Sequence, residues 1–228
     1  MQNANGYDRI SVYYKKTEKE QKMKVILING SPHKAGTTYT ALSEAAKQLE
    51  ACGLETEIIQ IGSKQIKGCA GCMSCKKTGK CAFNDEVNEV AEKFKEADGI
   101  IIGSPVYYAS PNGTLISFLD RLFYSSHFDK SGKVGAAVVC ARRGGCTASF
   151  DVLNKYLTIS GMPLATSTYW NQVHGANGED AVFDHEGMQT MRNLARNMAF
   201  LIKAIALAKD KYGLPELERG ARTNFITR

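Results

Sequence analysis

Four consecutive apolar residues, Val25-Ile26-Leu27-Ile28, run directly into Asn29-Gly30-Ser31-Pro32-His33-Lys34-Ala35-Gly36-Thr37-Thr38, and a helix-periodic segment follows. A short unbroken apolar run reads as a strand buried on both faces, as in a parallel sheet covered by helices. The turn then delivers a helix N-terminus, where the first N–H groups lack internal partners and the macrodipole favours an anion. Ser31, Thr37 and Thr38 add hydroxyl donors, and Gly30 and Gly36 let the backbone approach a ligand closely. The loop has neither the G-x-x-x-x-G-K-[ST] of a triphosphate cradle nor the G-x-G-x-x-G of a dinucleotide site. Neutral donors around one short turn suit a single terminal phosphate monoester. A plain α/β connection has similar composition, and a second ligand-type loop later in the chain favours the phosphate reading.

Strand and helix patterns alternate along the rest of the chain. Strands are expected at Lys24–Asn29, Glu55–Ile61, Gly99–Gly103, Val134–Ala141 and Leu164–Trp170. The first helix starts from a Thr37/Thr38 cap and stops at Gly53, with Leu42, Ala45, Ala46 and Leu49 at helical spacing. Further helices are expected from Asn84/Asp85, from an Asn112 cap, over 147–160 and over 185–210. The methionines of the last helix fall on its buried seam and read as core filler. Strict alternation of five strands and five helices predicts an α/β fold: a doubly wound, five-stranded parallel sheet of order 2-1-3-4-5 with helices on both faces. Ligands of such sheets bind beyond the carboxyl ends of the strands, at the switch between strands 1 and 3.

That rule directs attention to two more loops. After the third strand comes Gly103-Ser104-Pro105-Val106-Tyr107-Tyr108-Ala109-Ser110-Pro111-Asn112, stiffened by two prolines and carrying two aromatic rings. After the fourth comes Arg142-Arg143-Gly144-Gly145-Cys146, with cations placed to face an anionic ligand.

Composition narrows the partners. The formal charge is +6. Residues 1–22 hold five basic against three acidic side chains and residues 209–228 the same, so about +2 remains for the domain between. That is too little for a surface tracking nucleic-acid phosphates. No apolar stretch is long enough to span a bilayer, which argues against a membrane partner. Residues 1–22 lack the apolar core of a secretory signal and read as an N-terminal arm, with a domain over 23–211 and a tail over 212–228. Seven cysteines, an odd number, fit a reducing cytoplasm better than a disulfide framework.

The stretches NGSPHKAGTT at 29–38, CAGCMSCKKTGKC at 69–81, ADGIIIGSPVYY at 97–108, GTLISFLDR at 113–121 and YWNQVHG at 169–175 together resemble the NADPH-dependent FMN reductase family of flavodoxin-like flavoproteins. Within it they resemble the iron–sulfur flavoproteins. The resemblance covers roughly Met23 to Lys211. It implies FMN with its phosphate held by Ser31, His33, Lys34, Gly36, Thr37 and Thr38. Pro105, Val106, Tyr107 and Tyr108 would lie along the isoalloxazine, and Arg142, Arg143, Gly144 and Gly145 near its other edge. Ala109 stands where the family commonly has glycine. Trp170, Asn171 and His174 would line a pocket for NAD(P)H and then for the electron acceptor. A homodimer or homotetramer is implied as well.

Cys69, Cys72, Cys75 and Cys81 are spaced C-x2-C-x2-C-x5-C, similar to the compact cluster motif of the iron–sulfur flavoproteins. Short spacings let one loop bring several thiolates to a [4Fe–4S] cubane, and they suit a two-knuckle zinc site less well. Reduced, paired or simply packed thiols are the other reading of the same run. The expected activity is NAD(P)H oxidation through FMN, with electrons passed to a small acceptor or a redox protein partner. The alternatives are a non-enzymatic electron carrier and a cysteine-based redox sensor. No hydrolytic constellation stands out.

Overall fold

A computed structural model describes residues 22–218 and 220–221. All of the arm expected over 1–22 except Lys22, and much of the end of the tail, lie outside the described residues. The chain runs β1 (Lys24–Asn29), α1 (Thr37–Ala51), β2 (Glu55–Gln60), α2 (Cys75–Thr78), α3 (Glu86–Glu96), β3 (Gly99–Tyr107) and β4 (Ser110–Pro111). It continues through α4 (Gly113–Ser125), β5 (Val134–Ala141), α5 (Cys146–Ile159), β6 (Gln172–His174), α6 (Gly178–Ala181) and α7 (His185–Tyr212).

The sheet order is β2-β1-β3-β5-β6, all parallel, and β4 pairs antiparallel with β3 off that path. With the hairpin strand set aside, the five parallel strands stand in the expected order 2-1-3-4-5. Successive residues of a strand point to opposite faces, and β1 divides accordingly. Val25 and Leu27 join the core under α1 and α7, whereas Ile26 and Ile28 join the core under α3, α4 and α5. Each such side chain, fully buried, contributes about 1.5–3 kcal/mol. Met188, Met191 and Met198 of α7 are buried in the first of these cores.

Three local expectations change. No side chain caps α1; its N-cap is Gly36, and the Thr37 hydroxyl instead reaches across to the carbonyls of Gly175 and Asn177, at 3.2 and 2.9 Å. The third strand does not stop at Gly103 but continues to Tyr107 and turns into β4. Pairing of β1 with β3 ends at Asn29 and Gly103, so β3 already lacks that neighbour where Pro105 enters. The last strand is Gln172–His174 rather than Leu164–Trp170, with Leu164 making only an isolated bridge to Gly135. Ser167 donates to the Tyr169 carbonyl and to Asn171 Oδ1, at 2.6 and 2.7 Å. Local side-chain bonds of that kind compete with a ladder.

Candidate functional site

Beyond the carboxyl ends of β1, β3 and β5 lies an open cavity of about 830 Å³, within the usual range for cofactor sites. Its floor is the loop after β1. The Ser31 N–H donates to Asn29 Oδ1 at 3.1 Å, and Ser31 Oγ accepts from the His33 N–H at 3.1 Å. Among the described residues nothing accepts the hydroxyl proton of this buried serine, which leaves it for a ligand. Gln60, the last residue of β2, ties the arrangement down by accepting from Asn29 Nδ2 and donating to the Ser31 carbonyl, both at 2.6 Å. Gly62 closes it from below. A β-carbon there would stand 2.2 Å from the Gly30 oxygen and 2.3 Å from the Ser31 carbonyl carbon.

His33, Lys34, Gly36, Thr37 and Thr38 line the same cavity as Ser31. The uncapped α1 N-terminus, one lysine and a free hydroxyl make a donor set suited to a phosphate monoester. Pro105, Val106, Tyr107 and Arg142 line the same cavity. The Tyr107 loop is held by Ser104, which is fully buried, accepts from the Asn112 N–H at 3.0 Å and donates to the Pro105 carbonyl at 2.8 Å. Tyr108 and Ala109 have φ of 50° and 57°, and Ala109 thus adopts a backbone in which a glycine would be unstrained.

Not every expected residue meets the cavity. Tyr108 is fully exposed, and Arg143 and Gly144 are exposed outside the lining. Gly145 supports the site from behind. With φ of 96°, it packs so closely on Ala109 and Val106 that a β-carbon would stand 2.9 Å from each. Asn171 is buried and donates Nδ2 to the Ala137 carbonyl at 3.0 Å, so it braces the sheet rather than lining the cavity. Trp170 stacks edge-on against Tyr169 at the surface. His174 Nδ1 lies 3.1 Å from the Ala141 carbonyl, and its backbone N–H donates to Asp184. The sequence reading missed Cys140 and Ala141 and the wall of Gly175, Ala176 and Asn177. Burial pushes the Cys140 thiol up to about 12, against a weaker opposing bond from Thr38, so the cavity wall there is neutral.

Cys69, Cys72, Cys75 and Cys81 all line a second, apolar pocket between the 61–85 loop and α4. Cys69 and Cys72 are exposed, Cys75 is buried and Cys81 lies between. Among the described residues no group of three or more His, Cys, Asp or Glu side chains is gathered tightly enough for one metal ion. A cubane carries its thiolates on separate irons and so accepts a wider set than a single ion does. Beneath the pocket is Arg121, buried and ion-paired to Asp85. Desolvation opposes its charge, but bonds from Asp85 and Cys81 outweigh this and raise its pKa.

Among the described residues no helix is long and apolar enough to cross a membrane. The chain is 36% identical over 191 residues to an iron–sulfur flavoprotein of Methanocaldococcus jannaschii, covering 80% of this chain and 99% of that protein. An iron–sulfur flavoprotein of Archaeoglobus fulgidus is 37% identical over 204 residues, covering 88% of this chain and 99% of its own length. In fold the chain resembles RosB crystallised with 8-demethyl-8-formylriboflavin-5'-phosphate. The TM-score is 0.65 at 16% identity, over 90% of this chain and 92% of RosB. It also resembles an archaeal flavodoxin, with a TM-score of 0.55 at 16% identity, over 79% of this chain and 99% of that one. The model of the NADPH-dependent FMN reductase family matches residues 23–176, and the chain belongs to that family.

Proposed function

We propose that this protein is an FMN-dependent oxidoreductase that takes electrons from NAD(P)H and passes them to a small acceptor or a redox partner. One observation carries the reading: a single cavity is lined by the loop residues Ser31 and Lys34, by Thr38 at the uncapped N-terminus of α1, and by Tyr107. FMN, when bound, supplies hydride acceptance from the nicotinamide and electron delivery to the acceptor. The chain's own groups do the rest. Ser31, Lys34 and the first-turn N–H groups of α1 would hold the phosphate, and Pro105, Val106 and Tyr107 would seat the ring. Arg142 would offset negative charge beside it. Since the cavity is open, nicotinamide and acceptor would use it in turn. The test is twofold. Denatured protein should release FMN and not FAD, and initial rates of NAD(P)H oxidation at several acceptor concentrations should give parallel reciprocal plots. Absence of flavin after reconstitution, or intersecting plots, would reject the corresponding half of the reading.

A second reading concerns the cysteine pocket, and the convergence of all four thiols of the motif on one pocket favours it. Cys69, Cys72, Cys75 and Cys81 would hold a [4Fe–4S] cluster. Anaerobically prepared protein should contain about four iron and four sulfide per chain and, when reduced, a cubane-type paramagnetic signal. Protein with FMN but no iron would leave a simple flavin reductase with a thiol loop.

A further inference from the structure

The loop carrying the four cysteines leaves β2 after Gln60 and regains regular structure only at Glu86, apart from the single short turn of α2. One side chain reaches both of its ends. Arg121, on α4, donates Nη1 to the Lys67 carbonyl at 3.1 Å, two residues before Cys69, and Nη2 to the Phe83 carbonyl at 3.5 Å, two residues after Cys81. Nη1 and Nη2 also grip Asp85 Oδ2 and Oδ1 at 2.7 and 2.8 Å. The remaining donor, Nε, lies 3.2 Å from Cys81 Sγ. The guanidinium stacks 4.8 Å from the centre of the Phe83 ring. All five N–H directions of a 1% exposed arginine are thereby spent on one loop. Asp85, its counter-ion, is at the same time the N-cap of α3 and accepts from the Val87 N–H, so the clamp is anchored to the core.

A buried charge stripped of any of these partners would be costly, so an arginine here commits the loop to one shape. Lysine could neutralise Asp85 but has no planar fork to hold two carbonyls and a sulfur together. We propose that Arg121 is the positioning residue of the cysteine loop: it holds residues 67–83 closed around the four thiols and gives the Cys81 sulfur a charged hydrogen bond. Its relevance to iron and sulfide uptake rests on the cluster reading above, whereas the clamp itself does not.

The experiment uses the full chain, prepared anaerobically, as wild type, Arg121→Lys, Arg121→Met and Asp85→Asn. Amide hydrogen exchange is followed in the metal-free protein. Iron and sulfide are counted after reconstitution with ferrous iron and sulfide, and FMN content reports an intact fold. Exchange across 67–83 should quicken by about tenfold or more in both Arg121 variants, the effect of one lost charged hydrogen bond, while β1 and FMN content stay as in wild type. Iron should fall to less than about half the wild-type level in Arg121→Met, and whatever cluster Arg121→Lys retains should reduce at a lower potential. Unchanged exchange in 67–83 overturns the clamp, and an unchanged potential overturns the charged bond to Cys81. Should both Arg121 variants lose FMN as well, Asp85→Asn decides, because asparagine can still cap α3; faster loop exchange supports the clamp and wild-type exchange overturns it. Wild-type protein that takes up no iron while the variants still loosen the loop rejects the cluster reading and upholds the clamp.

Discussion

Gln60 Nε2 donates to the Ser31 carbonyl at 2.6 Å, so the strand beside β1 holds the loop that follows β1. The same amide accepts from Asn29, which is fully buried, and Asn29 accepts in turn from the Ser31 N–H. Substituting Gln60 by alanine strands the buried Asn29 donor and the Ser31 carbonyl, at a cost of about 1–3 kcal/mol. Part of this should appear as a rise of roughly tenfold in the Kd for FMN, read by quenching of flavin fluorescence. An unchanged Kd would mean that Ser31 is held without Gln60.

Gly62 should tolerate no side chain. The β-carbon of Gly62→Ala meets backbone atoms of Gly30 and Ser31, which cannot rotate away as a flexible side chain would. Overpacking of this kind costs about 1–3 kcal/mol. It should lower the midpoint of thermal unfolding and weaken FMN binding in the same protein. A variant with wild-type melting and affinity would place the close approach in error.

Thiol chemistry should divide the cysteines by place. In metal-free, reduced protein, iodoacetamide at about pH 8 should label the exposed Cys69 and Cys72 first. Cys140 and Cys146, whose thiols burial pushes up, should stay unlabelled until the chain unfolds. The sign for stability follows from Cys140. Its folded thiol stays protonated to about 12 whereas an ordinary thiol ionises near 9.0, so its contribution is constant below that pH and falls as pH rises above it. Urea midpoints should drop on going from neutral pH to about pH 10, and less so in Cys140→Ala. An equal drop in both proteins would locate the alkaline instability elsewhere.

How much of this could be read in advance depended on the range of each interaction. The period-two split of Val25 and Leu27 from Ile26 and Ile28, and the strand–turn–helix around Ser31, are local patterns and were legible. The wall formed by Gly175 and Asn177 depends on a hydroxyl 138 and 140 residues away on Thr37, which no spacing reveals. Asn171 was expected in the pocket from the family resemblance, yet its side chain is consumed by Ala137 and Ser167. Arg121 gave one local hint. It is a charged residue on a helix whose apolar stripe is Leu115, Phe118, Leu119 and Leu122, and its burial is explained by Asp85, 36 residues earlier, together with the Lys67, Cys81 and Phe83 groups it also holds.

The paired tyrosines after β3 offer the sharpest contrast between sequence and structure. Tyr107 lines the cavity, whereas Tyr108 is fully exposed with φ of 50°, in the region that favours glycine. Truncation of Tyr107 to alanine removes aromatic surface from the cavity lining and should weaken FMN binding by roughly tenfold, one aromatic pair being worth about 0.5–1.5 kcal/mol beyond its buried area. Tyr108→Gly touches no cavity atom and relieves about 1 kcal/mol of left-handed strain, offset in part by the freedom glycine gives the unfolded chain. Its FMN affinity should equal wild type and its melting temperature should move little in either direction. Equal losses of affinity in the two variants would show that both rings contact the flavin and that the loop closes over it on binding.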